Sequence, residues 1–223
     1  MTPRVTVLQL DTDFPRIAGD VASPESYSRA PQIIRIAGAS VGQIVTDRPQ
    51  DIDIAPFEEA LSAANGDVIV TSCGFLSYWQ GHLAALTDRP FISSALVALD
   101  RLSQRYSPDA LRILTFDANS LNAAHLGAHK AYTGSIIGLN ERQHLRQVIS
   151  GNMANLDAEK AGLQIAERLI TSQTRAHAHI LLECTNLPPY RAAIQAATNL
   201  PVTDILTQIE ATCPGAVAPQ FRG

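Results

Sequence analysis

A stretch that occurs twice constrains this chain more than any other feature. Residues 67–95 superimpose on residues 178–206 at a shift of 111 positions, which sets Ile69 on Ile180, Cys73 on Cys184, Leu76 on Leu187, Ala85 on Ala196, Thr87 on Thr198 and Pro90 on Pro201. Each copy reads as an apolar run, a cysteine where the run stops, an amphipathic segment, and a proline opening another short apolar run. That order predicts strand, turn, helix and strand, with each thiol at the carboxyl end of a strand. Open α/β sheets bind ligands at that edge, so the repeat predicts two half-sites, each offering one thiol.

The rest of the chain extends the duplication. Residues 5–10 and 111–116 are matching apolar runs, each with an arginine near its start, Arg4 and Arg112. Counting from those arginines sets Asp11-Thr12 opposite Asn119-Ser120. Further strands are expected within 33–45 and at 91–93, 135–139 and 202–203, and helices at 55–64, 75–86, 96–106, 142–149 and 157–172, the last capped by Asp157. Pro188-Pro189 opens the helix after Cys184. Alternating strands and helices imply parallel sheets. The expected fold is therefore two similar parallel-sheet α/β halves, related by a pseudo-twofold axis, with the site in the cleft between them. The first half spans 1–98 and the second 99–203, while 204–223 packs back on the first. Residues 14–31, with glycine, prolines and polar residues, read as a long loop of the kind that serves as a lid or binding loop; its Arg16 is a candidate carboxylate partner.

Composition excludes several classes of function. With 223 residues, 46% of them hydrophobic, the chain can bury a large core, and its net charge of −4 and lack of a basic face argue against nucleic acid. No apolar run approaches a membrane span, and the start lacks the pattern of a signal peptide. Three cysteines fit a reducing compartment better than a disulfide framework, so a cytoplasmic protein is expected. His177 with His179, and His125 with His129, lack a third ligand at suitable spacing, so no metal is expected. Neither the dinucleotide fingerprint nor the phosphate loop occurs.

A thiol at a strand end, followed at once by a helix, faces backbone N–H groups and the positive end of the helix dipole. Both are expected to lower its pKa. Two such thiols on opposed half-sites suit removal of a proton from one face of a carbon and its return on the other. Cys213 has no counterpart in the repeat and reads as incidental.

These motifs resemble a known family. Val70-Thr71-Ser72-Cys73-Gly74 is similar to the first cysteine motif of the aspartate/glutamate racemase superfamily, and Glu183-Cys184-Thr185-Asn186-Leu187-Pro188 to the second. The resemblance implies two α/β halves clasping a small carboxylate, with no cofactor or metal and with Cys73 and Cys184 as the two acid/base groups. It implies substrate contacts from Asp11 at the end of the first strand and from Thr185. The chain departs from the pattern twice. Gly74-Phe75 follows the first cysteine where amino-acid racemases of the family have Asn-Thr, leaving Thr71, Ser72 and the Gly74 N–H to hold the carboxylate. Asn186 stands where the family commonly has His or Glu, and it can orient a substrate but not exchange a proton. Asn119 and Ser120 join the expected substrate contacts if they end a strand at the cleft. The expected function is a cofactor-independent racemase or epimerase, an isomerase acting on a small amino acid or related carbonyl compound. A hydantoin racemase or maleate isomerase is the related alternative, and arylmalonate decarboxylases fit less well because they lack the full cysteine pair. The rival from another class is a non-catalytic carboxylate-binding protein with the same cleft. Expected partners are the small substrate alone, with no nucleic acid or membrane and with self-association left open.

Overall fold

In a computed structural model, which describes residues 2–222, the apolar runs form two parallel sheets. The first has strand order β2-β1-β3-β4, from β1 (Val5–Leu10), β2 (Gln32–Ile36), β3 (Val68–Thr71) and β4 (Phe91–Ile92). The second repeats it as β6-β5-β7-β8, from β5 (Leu111–Thr115), β6 (Ile136–Gly138), β7 (His179–Leu182) and β8 (Val202–Thr203). The central strands are apolar almost throughout because helices cover both faces of a parallel sheet. Those helices are α1 (Val41–Ile44), α2 (Ala55–Ala63), α3 (Gln80–Ala84), α4 (Leu99–Leu102), α5 (Ala123–Leu126), α6 (His144–Ser150), α7 (Ala158–Ser172), α8 (Arg191–Thr198) and α9 (Ile205–Thr212). Asp157 caps α7, accepting the Lys160 N–H at 2.9 Å.

The duplication holds at the level of single hydrogen bonds. The Ile69 N–H donates to Pro90 O at 2.9 Å and that of Ile180 to Pro201 O at 3.0 Å; Leu76 closes on Cys73 O at 3.2 Å and Leu187 on Cys184 O at 3.1 Å. The first strand of each half fits a different offset. Val5 pairs with Val68 and Leu111 with His179, so Val5 corresponds to Leu111 and Asp11 to Asp117. Aligning the halves through Arg4 and Arg112 is therefore out by two residues, and Asn119-Ser120 is not the counterpart of Asp11-Thr12. Arg4 lies just ahead of β1, whereas Arg112 is the second residue of β5 and pairs with Ile180, so the two arginines do not occupy equivalent places.

Two expected helices are shorter than their sequence spans. Residues 74–79 form a tight 3-10 turn before α3, and 95–98 another before α4. Gly74, Ser77 and the aromatic residues beside them are weak helix formers, so the chain after Cys73 takes the tighter turn.

The halves are joined by more than the connecting chain. Phe14, in the loop after β1, packs in the core of the second half, and the N–H groups of Asp13 and Phe14 donate to Asn152 Oδ1 at 2.7 and 3.1 Å. In return Ile205, Leu206, Ile209, Ala216 and Val217 lie in the core of the first half. Arg191 fixes this return segment, with Nε donating to Asp204 Oδ2 at 2.6 Å and Nη1 to Phe221 O at 2.8 Å. The outer bounds 1 and 223 lie outside the described residues. Among the described residues, no helix is long and apolar enough to cross a membrane.

Candidate functional site

β3 and β7 end at the interface between the halves, and each is followed two residues later by its cysteine. Cys73 and Cys184 are both buried, and they line one cavity of about 30 Å³. Leu10, Phe14, Phe75, Phe116 and Ile149 give it an apolar wall, and Arg16, Glu183 and Asn186 are its polar edge. The backbone N–H two residues beyond each thiol, on Phe75 and on Asn186, is directed at the sulfur. The two half-sites thus present the same thiol and the same donor from opposite sides.

Helix dipoles do not set the ionisation of these thiols. Burial pushes Cys73 up to about 12, with the Glu183 charge adding to the effect and the Phe75 N–H and Arg16 opposing it. Burial raises Cys184 too, again with Glu183 as the second cause. The expected lowering fails because removal of water costs a thiolate more than one short turn of N–H groups returns.

Glu183 is the cavity residue that sequence reasoning misses. It corresponds to Ser72 under the 111-residue shift, and its side chain is fully buried. Thr115 Oγ1 donates to Oε2 at 2.6 Å, while Oε1 has no hydrogen-bond partner among the described residues. Burial raises this carboxyl to about 7, against a smaller opposing effect of Thr115. A charged residue directly after the apolar run 180–182 is the signal that could have found it. Glu183 also explains Gly74: a methyl there would sit 2.6 Å from the Glu183 carbonyl oxygen. No side chain larger than hydrogen has room at position 74.

The other expected site residues divide into two groups. Ser72, Gly74, Thr185, Asn186 and Arg16 line the cavity with the cysteines. Thr185 Oγ1 donates across the interface to Ser72 O at 2.6 Å, and Ser72 Oγ accepts the Leu10 N–H at 2.9 Å. Asn186 Nδ2 donates to Asp20 Oδ2 at 2.6 Å, and Cys184 Sγ lies 3.6 Å from Asn186 Oδ1. Arg16 pairs with Asp20 at 3.3 Å and donates to Thr12 Oγ1 at 2.9 Å, leaving its buried Nε without a partner among the described residues. Thr71, Asp11, Asn119 and Ser120 stand apart from the cavity. Thr71 Oγ1 is spent on Ser93 O at 2.6 Å, and Asp11 faces outward to Arg35 Nε at 2.5 Å. Asn119 is exposed, and Ser120 Oγ donates to Asp117 Oδ2 at 2.9 Å. His179 is buried in the second half, bonded to Thr203 Oγ1 at 2.9 Å.

Two parallel sheets of order 2-1-3-4 meeting at one edge give this chain a fold that it shares with solved racemases and an arylmalonate decarboxylase. Among solved structures, an allantoin racemase from Klebsiella pneumoniae superimposes with a TM-score of 0.63 at 15% identity, covering 94% of this chain and 86% of its own. An arylmalonate decarboxylase superimposes with a TM-score of 0.55 at 14% identity, over 99% and 97% of the two chains. No protein-family model matches the chain. In sequence it is similar to proteins of a different activity. A dimethylsulfoniopropionate lyase from Durusdinium sp. clade D is 28% identical, the match covering 96% of this chain and 76% of the relative. Dimethylsulfoniopropionate lyase 6 from Emiliania huxleyi is 29% identical over 92% of this chain and 57% of its own length. The chain thus spans little more than half of the Emiliania relative.

These relatives overturn the expected isomerase. The racemases share the fold at low identity, whereas the sequence relatives along the whole chain are named as lyases. A matched pair of thiols cannot tell the two classes apart, because both can begin with removal of a proton beside a carboxylate. They differ in the fate of the carbanion, on which the cysteine spacing has no bearing.

Proposed function

We propose that this chain is a lyase which removes the α-proton of a small carboxylate and expels a β-substituent, with dimethylsulfoniopropionate as the substrate. The observation that carries the reading is the cavity itself: two thiols, each with a backbone N–H at its sulfur, enclosed in apolar walls between the halves. The lyase names of the sequence relatives supply the second step. One thiolate takes the α-proton, the C–H electron pair becomes the C=C bond, and the C–S pair leaves with sulfur. The products are dimethyl sulfide, acrylate and a proton. Only one base is needed, so the second thiol is free to donate a hydrogen bond to the carboxylate as charge builds on it. The unpaired Arg16 Nε is the carboxylate anchor.

A cavity of about 30 Å³ has room for about two waters. The substrate is larger, so its entry requires movement of the loop that carries Phe14, Arg16 and Asp20. The chemistry needs no partner besides the small molecule, and it needs both thiols reduced, which accords with a cytoplasmic site of action. The test is direct: the purified chain is incubated with dimethylsulfoniopropionate, and dimethyl sulfide in the headspace and acrylate in solution are measured. Equal release of both, lost when both cysteines are replaced by serine, supports the reading; no release above the double variant refutes it.

A further inference from the structure

Among the residues lining the cavity, Glu183 is the carboxyl to which the elimination above gives no task. Its side chain is fully buried, and Oε1 has no partner among the described residues although Oε2 accepts from Thr115. A buried carboxyl oxygen without a donor is costly and calls for an account. Oε1 points across the interface at the backbone of Gly74, the residue after Cys73, while Cys184 adjoins Glu183 in the chain. The carboxyl therefore lies close to both cysteine-bearing turns, and its charge acts on both thiols. The remaining charged and titratable groups around the cavity are Arg16 and Asp20 from the loop after β1, the Asp117–Arg146 pair after β5, and Tyr190. Arg16 is paired with Asp20 and Arg146 with Asp117, and neither bonds Glu183.

We propose that Glu183 holds a single negative charge for the two thiols and takes the proton of whichever thiol reacts. Ionising a buried thiol to solvent beside a charged Glu183 would place a second negative charge in a closed apolar space. Transfer within the cluster avoids this. The S–H bond breaks, an O–H bond forms at Oε1, the electron pair stays on sulfur, and the net charge is the same before and after. Glu183 acts through the sulfur and does not touch the substrate, and its raised pKa lets it give the proton back to solvent near neutral pH.

This inference rests on the proposed thiol base, so its test is one that does not need turnover. The rate of alkylation by iodoacetamide is followed against pH in the wild-type chain and in Glu183→Gln, reading Cys73 and Cys184 separately by peptide mass spectrometry. In the wild type the faster cysteine should gain reactivity through a step near pH 7, where Glu183 ionises. In Glu183→Gln that step should vanish and reactivity at neutral pH should fall at least ~10-fold, because a preformed thiolate is then required. A wild-type profile without a step near neutrality overturns the proposal, and this arm does not depend on the variant folding. A Glu183→Gln chain that reacts as fast or faster also overturns it, since the carboxylate would then only repel the thiolate. Dimethyl sulfide release is recorded in parallel. The neutral step without release sinks the lyase reading and keeps this one; release without the step does the reverse.

Discussion

Replacing Gly74 by alanine places a methyl carbon 2.6 Å from the Glu183 carbonyl oxygen, about 0.8 Å short of the 3.4 Å at which ordinary contact begins. The same methyl overlaps the Glu183 carboxyl. Neither group can swing aside freely. The Glu183 N–H is held by Leu114 O at 2.8 Å, and Oε2 is held by Thr115 at 2.6 Å. The turn after Cys73 must shift instead, and overpacking of this kind costs about 1–3 kcal/mol. For a chain of this size that is a fall of roughly 2–12 °C in thermal midpoint. Thermal unfolding followed by circular dichroism reads it. A cycle with Glu183→Ala separates the two overlaps: the side-chain part should be relieved, with a coupling of about 0.5–3 kcal/mol, while the carbonyl part persists. A Gly74→Ala midpoint within about 1 °C of wild type would refute the argument that Glu183 dictates glycine here.

Cys73→Ser and Cys184→Ser distinguish the base from its partner: the variant lacking the base should lose ~10²- to 10⁴-fold in dimethyl sulfide release, and if both lose less than about tenfold neither thiol is the base. Glu183 gives the stability a pH dependence opposite to that of a paired carboxylate. Its folded pKa of about 7 lies above the ordinary 4.5, so its protonated form stabilises the fold fully below pH 4.5, and that contribution is lost as pH rises to about 7. Glu183→Gln should therefore gain on the wild type across this window, by roughly 3 kcal/mol at its upper end, as read from urea midpoints; a constant difference across the window would exclude the shift. Arg191→Met strips Asp204 of its partner, bonded at 2.6 Å through Nε, and releases Phe221 O. A loss of about 3–5 kcal/mol in denaturant unfolding is expected, and less than about 1 kcal/mol would show that the return segment is held by its apolar contacts alone.

The sequence by itself determined the two halves, the alternation of strands and helices that repeats between them, and the matching of Cys73 with Cys184. It did so because β3 with β7, and β4 with β8, keep one offset of 111 residues, and hydrophobic periodicity fixes a buried strand to within a residue or two. Asp157 as a cap and the short strand at Val202–Thr203 were legible for the same local reason. Tertiary structure decided what those local signals cannot carry. Hydrogen-bond register, not the nearby arginines, pairs Asp11 with Asp117 and leaves Asn119 and Ser120 outside the cavity. Burial, which depends on both halves at once, raises the two thiols that a strand-end position alone would be expected to acidify. The task of Glu183 is likewise invisible along the chain. Its neighbours are Thr115 on β5 and Gly74 across the interface, and only folding brings those three together in a space dry enough to raise the carboxyl's pKa.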